Sequence, residues 1–213
     1  MKVGVLASGG GTNLQALLDA CGPETLAKIA LVASDRADAG ALERARAAGV
    51  PTAHLADPAS GTALRALLER HGIELVVLAG YLKLVPTDVV EAYSGRIVNV
   101  HPALLPAFGG KGMYGVRVHR AVLASGATVS GATVHLVDAE YDRGPILAQW
   151  PVPVLAGDTP ETLQRRVLAV EHRLLPATVL AAARNGAPVR LVLEGAAFGS
   201  AAAPTLDALV AHG

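Results

Sequence analysis

The chain is poor in the residues that usually announce a chemistry. One cysteine, two phenylalanines, one tryptophan and four tyrosines occur in 213 residues. A single thiol, Cys21, excludes a disulfide framework and any zinc site built from several thiolates. Cys21 follows Leu14, Leu17 and Leu18 on a helical run, which makes it a packing residue rather than a nucleophile. An excess of one charge sign is also missing, because 18 Lys and Arg face 18 Asp and Glu. Proteins that bind polynucleotides usually carry a basic excess that neutralises phosphates, so no nucleic-acid partner is expected. No apolar run approaches the roughly 20 residues that span a bilayer. Lys2 followed by Val3 to Ala7 imitates a signal peptide, but the run is short and glycines end it. These absences leave a cytoplasmic enzyme of small molecules, with no membrane partner, as the expectation. With so few aromatics, the core must be built from Ala, Val and Leu.

What is present is an alternation of short apolar strands and amphipathic helices. Strands are expected at Val3 to Ala7, Ile29 to Ser34, Ala53 to Leu55, Leu75 to Ala79 and Ile97 to Val100. Helices are expected at Asn13 to Ala20, Gly40 to Ala48, Thr62 to Arg70 and from Pro86 to about Tyr93. Apolar strands alternating with helices indicate a parallel sheet covered on both faces, a Rossmann-like α/β class. After a helix at Val116 to Ser125 the pattern changes. Strands at Thr133 to Val137 and Ile146 to Val152 leave no room for a crossover helix, so they are antiparallel or extend the sheet edge. Asp158-Thr159-Pro160-Glu161 then starts a helix that reaches Arg184, with a kink expected near Pro176. A late strand covers Val189 to Leu193, and the Ala- and Gly-rich end gives no signal. The expected organisation is one domain over residues 1–190, halved near residue 100, with a tail of unassigned role at 191–213.

Three groups of residues carry chemistry. Ser8-Gly9-Gly10-Gly11-Thr12-Asn13 joins the first strand to the first helix. Glycines let backbone amides approach an anion, and the helix N-terminus adds unpaired N–H groups, so a phosphate site is expected. A dinucleotide site, with Asp35 on a ribose, stays open, although Leu14 fills the third glycine position; so does a bare tight turn. Asn99 and His101 lie two apart at a strand end and so share a side, while Asp142 sits in the turn Asp142-Arg143-Gly144-Pro145. A carboxamide, an imidazole and a carboxylate together can stabilise an oxyanion and move a proton, without a covalent nucleophile. Asp142 is expected to raise the His101 pKa. Singly, each has a blander reading: a turn histidine, an aspartate bonded to its own backbone. His119 and His135 are candidate supporting residues, and no compact ligand spacing supports a metal. Glu171 falls with Leu163, Val167 and Leu175 on the apolar stripe of the long helix, where a buried acid needs a partner or a ligand. The segment Ala107 to Gly115 holds four glycines and is expected to close over substrate as a lid.

These motifs occur together, in order, with Ser34-Asp35-Arg36-Ala37-Asp38-Ala39, Leu78-Ala79-Gly80-Tyr81-Leu82 and Asn99-Val100-His101-Pro102-Ala103-Leu104-Leu105-Pro106. In that combination, over about residues 1–190, the chain resembles the folate-dependent phosphoribosylglycinamide formyltransferases. The resemblance implies the formyltransferase fold and transfer of a formyl group from 10-formyltetrahydrofolate to the amine of glycinamide ribonucleotide. It implies catalytic roles for Asn99, His101 and Asp142. It gives the substrate phosphate to Gly11, Thr12 and Asn13, and the ribose hydroxyls to Glu171. It gives the folate to Leu82, Lys83, Leu84 and Val85, to Asp138, Ala139, Glu140 and Tyr141, and to Asn99 and Asp142. Lys83 stands where some members carry Arg, a point charge in place of a planar fork. A homodimer is left open. A methionyl-tRNA formyltransferase would add a C-terminal domain and a basic surface. A 10-formyltetrahydrofolate hydrolase would place a regulatory domain before the first strand, which here begins at Lys2. A nicotinamide-dependent reductase or a non-catalytic nucleotide module are the readings from other classes.

Overall fold

A computed structural model describes residues 1–193 and 209–212. Its framework is a seven-stranded sheet in the order β3-β2-β1-β4-β5-β6-β7. The strands are β1 (Lys2–Leu6), β2 (Lys28–Ser34), β3 (Thr52–His54), β4 (Leu75–Leu78), β5 (Ile97–His101), β6 (Val129–Leu136) and β7 (Ile146–Pro153). Those from β1 to β5 pair in parallel. β6 then runs antiparallel to β5, and β7 antiparallel to β6. The expected mostly parallel sheet with an antiparallel extension is therefore what forms.

Side-chain alternation along the parallel strands sorts the core into two layers. Val3, Val5, Leu75, Val77, Val98 and Val100 enter one layer, and Leu6, Val76, Leu78 and Ile97 enter the other. The first is closed by α1 (Thr12–Ala20), α2 (Gly40–Ala47), α5 (Val116–Ala124) and α6 (Pro160–Asn185). The second is closed by α3 (Gly61–Arg70) and α4 (Thr87–Ala92). Both layers are mainly aliphatic, as the scarcity of aromatics requires.

α6 starts where the sequence places it. Thr159 accepts from the Thr162 N–H while the Thr162 hydroxyl accepts from the Thr159 N–H, a capping box with Pro160 in the first turn. Its 26 residues, about 39 Å at 1.5 Å each, run as one helix through Pro176. Strand β8 (Arg190–Leu193) pairs with β9 (Leu209–His212), a partner that the Ala- and Gly-rich end did not suggest. No described helix is long and apolar enough to cross a membrane.

β1 and β4 are neighbours, but the chain leaves them toward opposite faces of the sheet. A crevice opens at their carboxyl ends, where open α/β sheets bind ligands.

Candidate active site

The carboxyl end of β5 carries Asn99 and His101 on one side of the strand, while Val98 and Val100 enter the core. The β5–β6 register sets Asn99 opposite His135, and His101 opposite Thr133. Asn99 Nδ2 accordingly donates to His135 Nε2 at 3.0 Å, and His135 Nδ1 donates to the Leu136 carbonyl at 2.8 Å. The Leu136 carbonyl can only accept, so Nδ1 of His135 carries a proton, while its Nε2 also lies 3.5 Å from Asp142 Oδ1.

Asp142 arrives from the β6–β7 connection. Gly144 there passes so close to the Leu136 carbonyl oxygen that a Cβ would collide with it. Asp142 itself holds a left-handed φ of 57°, an unusual backbone for a residue with a side chain. Its Oδ2 lies 3.4 Å from His101 Nδ1 and accepts the Gly110 N–H at 2.9 Å. Its Oδ1 lies 3.4 Å from Asn99 Nδ2. Because a carboxylate only accepts, this contact also fixes which way the Asn99 amide faces. His101 Nε2 donates to the Phe108 carbonyl at 2.9 Å.

Burial acts on these groups in opposite senses. It works against the Asp142 charge, but the flanking His135 and His101 rings and the Gly110 N–H outweigh it and hold the carboxyl below its usual range. Asp142 pulls the His101 pKa upward as expected, but the net shift is downward. Burial depresses its pKa, and the pull of Asp142 and the Phe108 carbonyl does not make up the difference. Burial thus favours the neutral ring. Both of its nitrogens nonetheless face acceptors, so an arriving proton would be gripped between Asp142 and Phe108.

A cleft of about 440 Å³ joins this centre to the first turn of α1. At its far wall Asn13 Nδ2 donates to Glu171 Oε2 at 2.7 Å. Both side chains are buried, and Asn13 Oδ1 has no partner. Burial pushes the Glu171 carboxyl up to about 7, against the opposing bond from Asn13. Gly11 and Thr12 lie outside the cleft wall, next to Asn13 in sequence. Gly11 has a φ of 74°, and a Cβ there would stand 2.6 Å from Ala41 Cα, so close packing on α2 already requires a glycine.

Leu82, Lys83, Leu84, Val85, Glu140 and Tyr141 line the cleft. Of these, Leu82, Leu84 and Tyr141 are exposed apolar surface, suited to a flat aromatic ligand. Asp138 and Ala139 do not line it; Asp138 instead accepts the Glu140 N–H at 2.9 Å and shapes the loop. His119 and His135 both reach the cleft. The glycine-rich segment is less free than the sequence implies. Its start is tied to His101 through Phe108 and to Asp142 through Gly110, which leaves Lys111 to Gly115 at the mouth. Cys21 lies outside the cleft, and burial pushes its thiol up to about 11. Asp35 is also outside, and Leu14 is wholly buried where a dinucleotide site needs a glycine. Among the described residues no three His, Cys, Asp or Glu side chains stand where they could hold a metal ion.

Some supporting groups were missed from sequence. Thr133 Oγ1 donates to the Ala103 carbonyl and accepts the Leu105 N–H, and Gln149 donates to the Leu105 carbonyl. Together they pin the chain that leaves β5. Ser8 Oγ accepts the Leu82 N–H at 2.9 Å. A glutamine inside the apolar run Ile146 to Val152 was the available signal.

Residues 1–179 match the formyl transferase family. The chain is 47% identical over 191 residues to the phosphoribosylglycinamide formyltransferase of Mycobacterium tuberculosis (strain ATCC 25618 / H37Rv), covering 87% of this chain and 86% of that one. It is 46% identical over 181 residues to the chloroplastic phosphoribosylglycinamide formyltransferase of Arabidopsis thaliana, covering 81% of this chain. It spans only 62% of the length of that plant relative and 58% of the one from Vigna unguiculata. The crystal structure of glycinamide ribonucleotide transformylase 1 from Symbiobacterium toebii superposes with a TM-score of 0.81 at 47% identity, covering 92% of this chain and 91% of the other.

Proposed function

The chain belongs to the formyl transferase family, and from that premise we propose that it transfers the formyl group of 10-formyltetrahydrofolate to the amine of glycinamide ribonucleotide. The setting would be de novo purine synthesis in the cytoplasm. The observation that carries this reading is the convergence of Asn99, His101 and Asp142 in one cleft with the Asn13–Glu171 pair.

In this reading the ribonucleotide phosphate rests on the amides of Gly11, Thr12 and Asn13, and Glu171 accepts from the ribose hydroxyls. The folate lies along Leu82 to Val85 and the Glu140–Tyr141 loop. The substrate amine attacks the formyl carbon with its lone pair, and the carbonyl π electrons move to oxygen. Asn99, whose second N–H is held only loosely by Asp142, donates to that oxyanion. Asp142 takes one proton from the attacking nitrogen and shares it with His101 Nδ1, 3.4 Å away. That same proton passes to the folate N10 as collapse of the adduct re-forms the carbonyl, breaks the bond from carbon to N10 and releases tetrahydrofolate. No acyl-enzyme forms, and Cys21 takes no part.

The test is an absorbance assay of tetrahydrofolate formation with and without glycinamide ribonucleotide. Release that depends on the acceptor is expected. Equal release without it would replace the proposal by hydrolysis.

A further inference from the structure

We infer that Arg44, on the outer side of the glycine turn, positions that turn for the substrate phosphate; the inference rests on the phosphate reading just given. Helix α2 grips the turn through two carbonyls. The Ala41 N–H donates to the Gly9 carbonyl at 3.1 Å, and Arg44 Nε donates to the Gly10 carbonyl at 2.8 Å. Arg44 Nη1 also donates to Gln15 Oε1 at 3.1 Å, so one guanidinium spans the turn and the first turn of α1. Gly9 and Gly10 are exposed.

The consequence follows from amide geometry. In a trans peptide the carbonyl and the next N–H point opposite ways. Fixing the Gly10 carbonyl on Arg44 therefore aims the Gly11 N–H away from α2. A charged donor on the carbonyl also polarises the amide and strengthens its N–H as a donor. The guanidinium adds a positive charge behind a site for a dianion. Asn13 supplies an independent sign of a ligand beside the turn: it lines the cleft, and its buried Oδ1 has no partner, an acceptor that suits a donor such as a ribose hydroxyl of the same substrate. Arg44 also lies in the last turn of α2, where a cation suits the helix dipole. Arg46 shares that turn but makes no side-chain hydrogen bond among the described residues, and it serves as the control.

Arg44→Met, Arg44→Lys and Arg46→Met are compared by steady-state kinetics for both substrates and by inhibition with ribose 5-phosphate. Arg44→Met is expected to raise the ribonucleotide KM and the ribose 5-phosphate Ki about tenfold, the scale of one charge-assisted bond. Its kcat and folate KM should move less than twofold. Arg44→Lys, which keeps the charge but not the fork, should fall between, and Arg46→Met should match the parent. Unchanged KM and Ki in Arg44→Met would overturn the inference, as would a parallel loss in kcat and both KM values. Failure of ribose 5-phosphate to compete in the parent enzyme would instead bring down the phosphate reading, and this inference with it.

Discussion

Asn99 and His135 face each other across β5 and β6, with the amide donating to the ring nitrogen at 3.0 Å. The contact follows from strand register, and it aims the Asn99 amide between the ring and Asp142.

If that aim matters, removing the ring should harm turnover more than binding. His135→Ala is expected to lower kcat by about tenfold to a hundredfold, less than direct loss of an oxyanion donor. Both KM values should stay within a few fold. An unchanged kcat would show that Asn99 holds its place without His135.

Asp142→Asn keeps the shape of the side chain, and Asn tolerates a left-handed backbone nearly as well as any residue other than Gly. Substrate binding by titration should therefore survive. Turnover should drop by about a thousandfold, because the amide cannot take the amine proton. Near-normal turnover would remove Asp142 from the proton path.

Glu171 is destabilising when charged. Its carboxyl, ordinarily near 4.5, titrates near 7 when folded, so the folded state holds the extra proton between those values. Stability then falls as pH rises through that window, by about 1.4 kcal/mol for each pH unit. Glu171→Gln removes this cost. It should gain about 3 kcal/mol over the parent at pH 8 and nothing at pH 4.5, measured by urea unfolding. The same variant should bind the ribonucleotide about tenfold more weakly. Equal stabilisation at both pH values would mean that the gain is not the charge.

His119 gives the opposite slope. Burial, with His101 adding to it, holds this ring down to about 4, whereas the unfolded chain protonates near 6.5. The unfolded state therefore takes up more protons between these values, and stability falls as pH drops from 6.5 toward 4. His101, also depressed, acts in the same sense. Because Glu171 pulls the other way over part of this range, the readout is the difference between variant and parent: His119→Leu should gain melting temperature relative to the parent as pH drops from 6.5 toward 4, with a constant difference above pH 7. A difference that does not change with pH would contradict the buried neutral ring.

The framework was legible because parallel strands buried on both faces are continuous apolar runs. Val3 to Leu6 and Leu75 to Leu78 are such runs, and their short length between helices marks them as strands. Asn99, His101 and Asp142 stand out in the sequence as polar residues at a strand end and a turn, and the structure brings the three into one cleft. Their backbone partners do not stand out. Any residue can present the Phe108 carbonyl or the Gly110 N–H, so no letter of the sequence marks them. Asp142 does pull the His101 pKa upward, as its charge implies, but the net direction is set by the depth of burial, which sequence does not show. Arg44 carries no mark in the sequence either, because an arginine on a charged helix face usually meets only water.

The reversal of strand direction between β5 and β6 splits the polar cluster between two lengths of chain. Asn99 and His101 come before it, whereas His135 and Asp142 come after. A chimera that joins two relatives between residues 101 and 129 would thus inherit its glycine turn intact from one parent. The proposed proton path would be assembled from both parents.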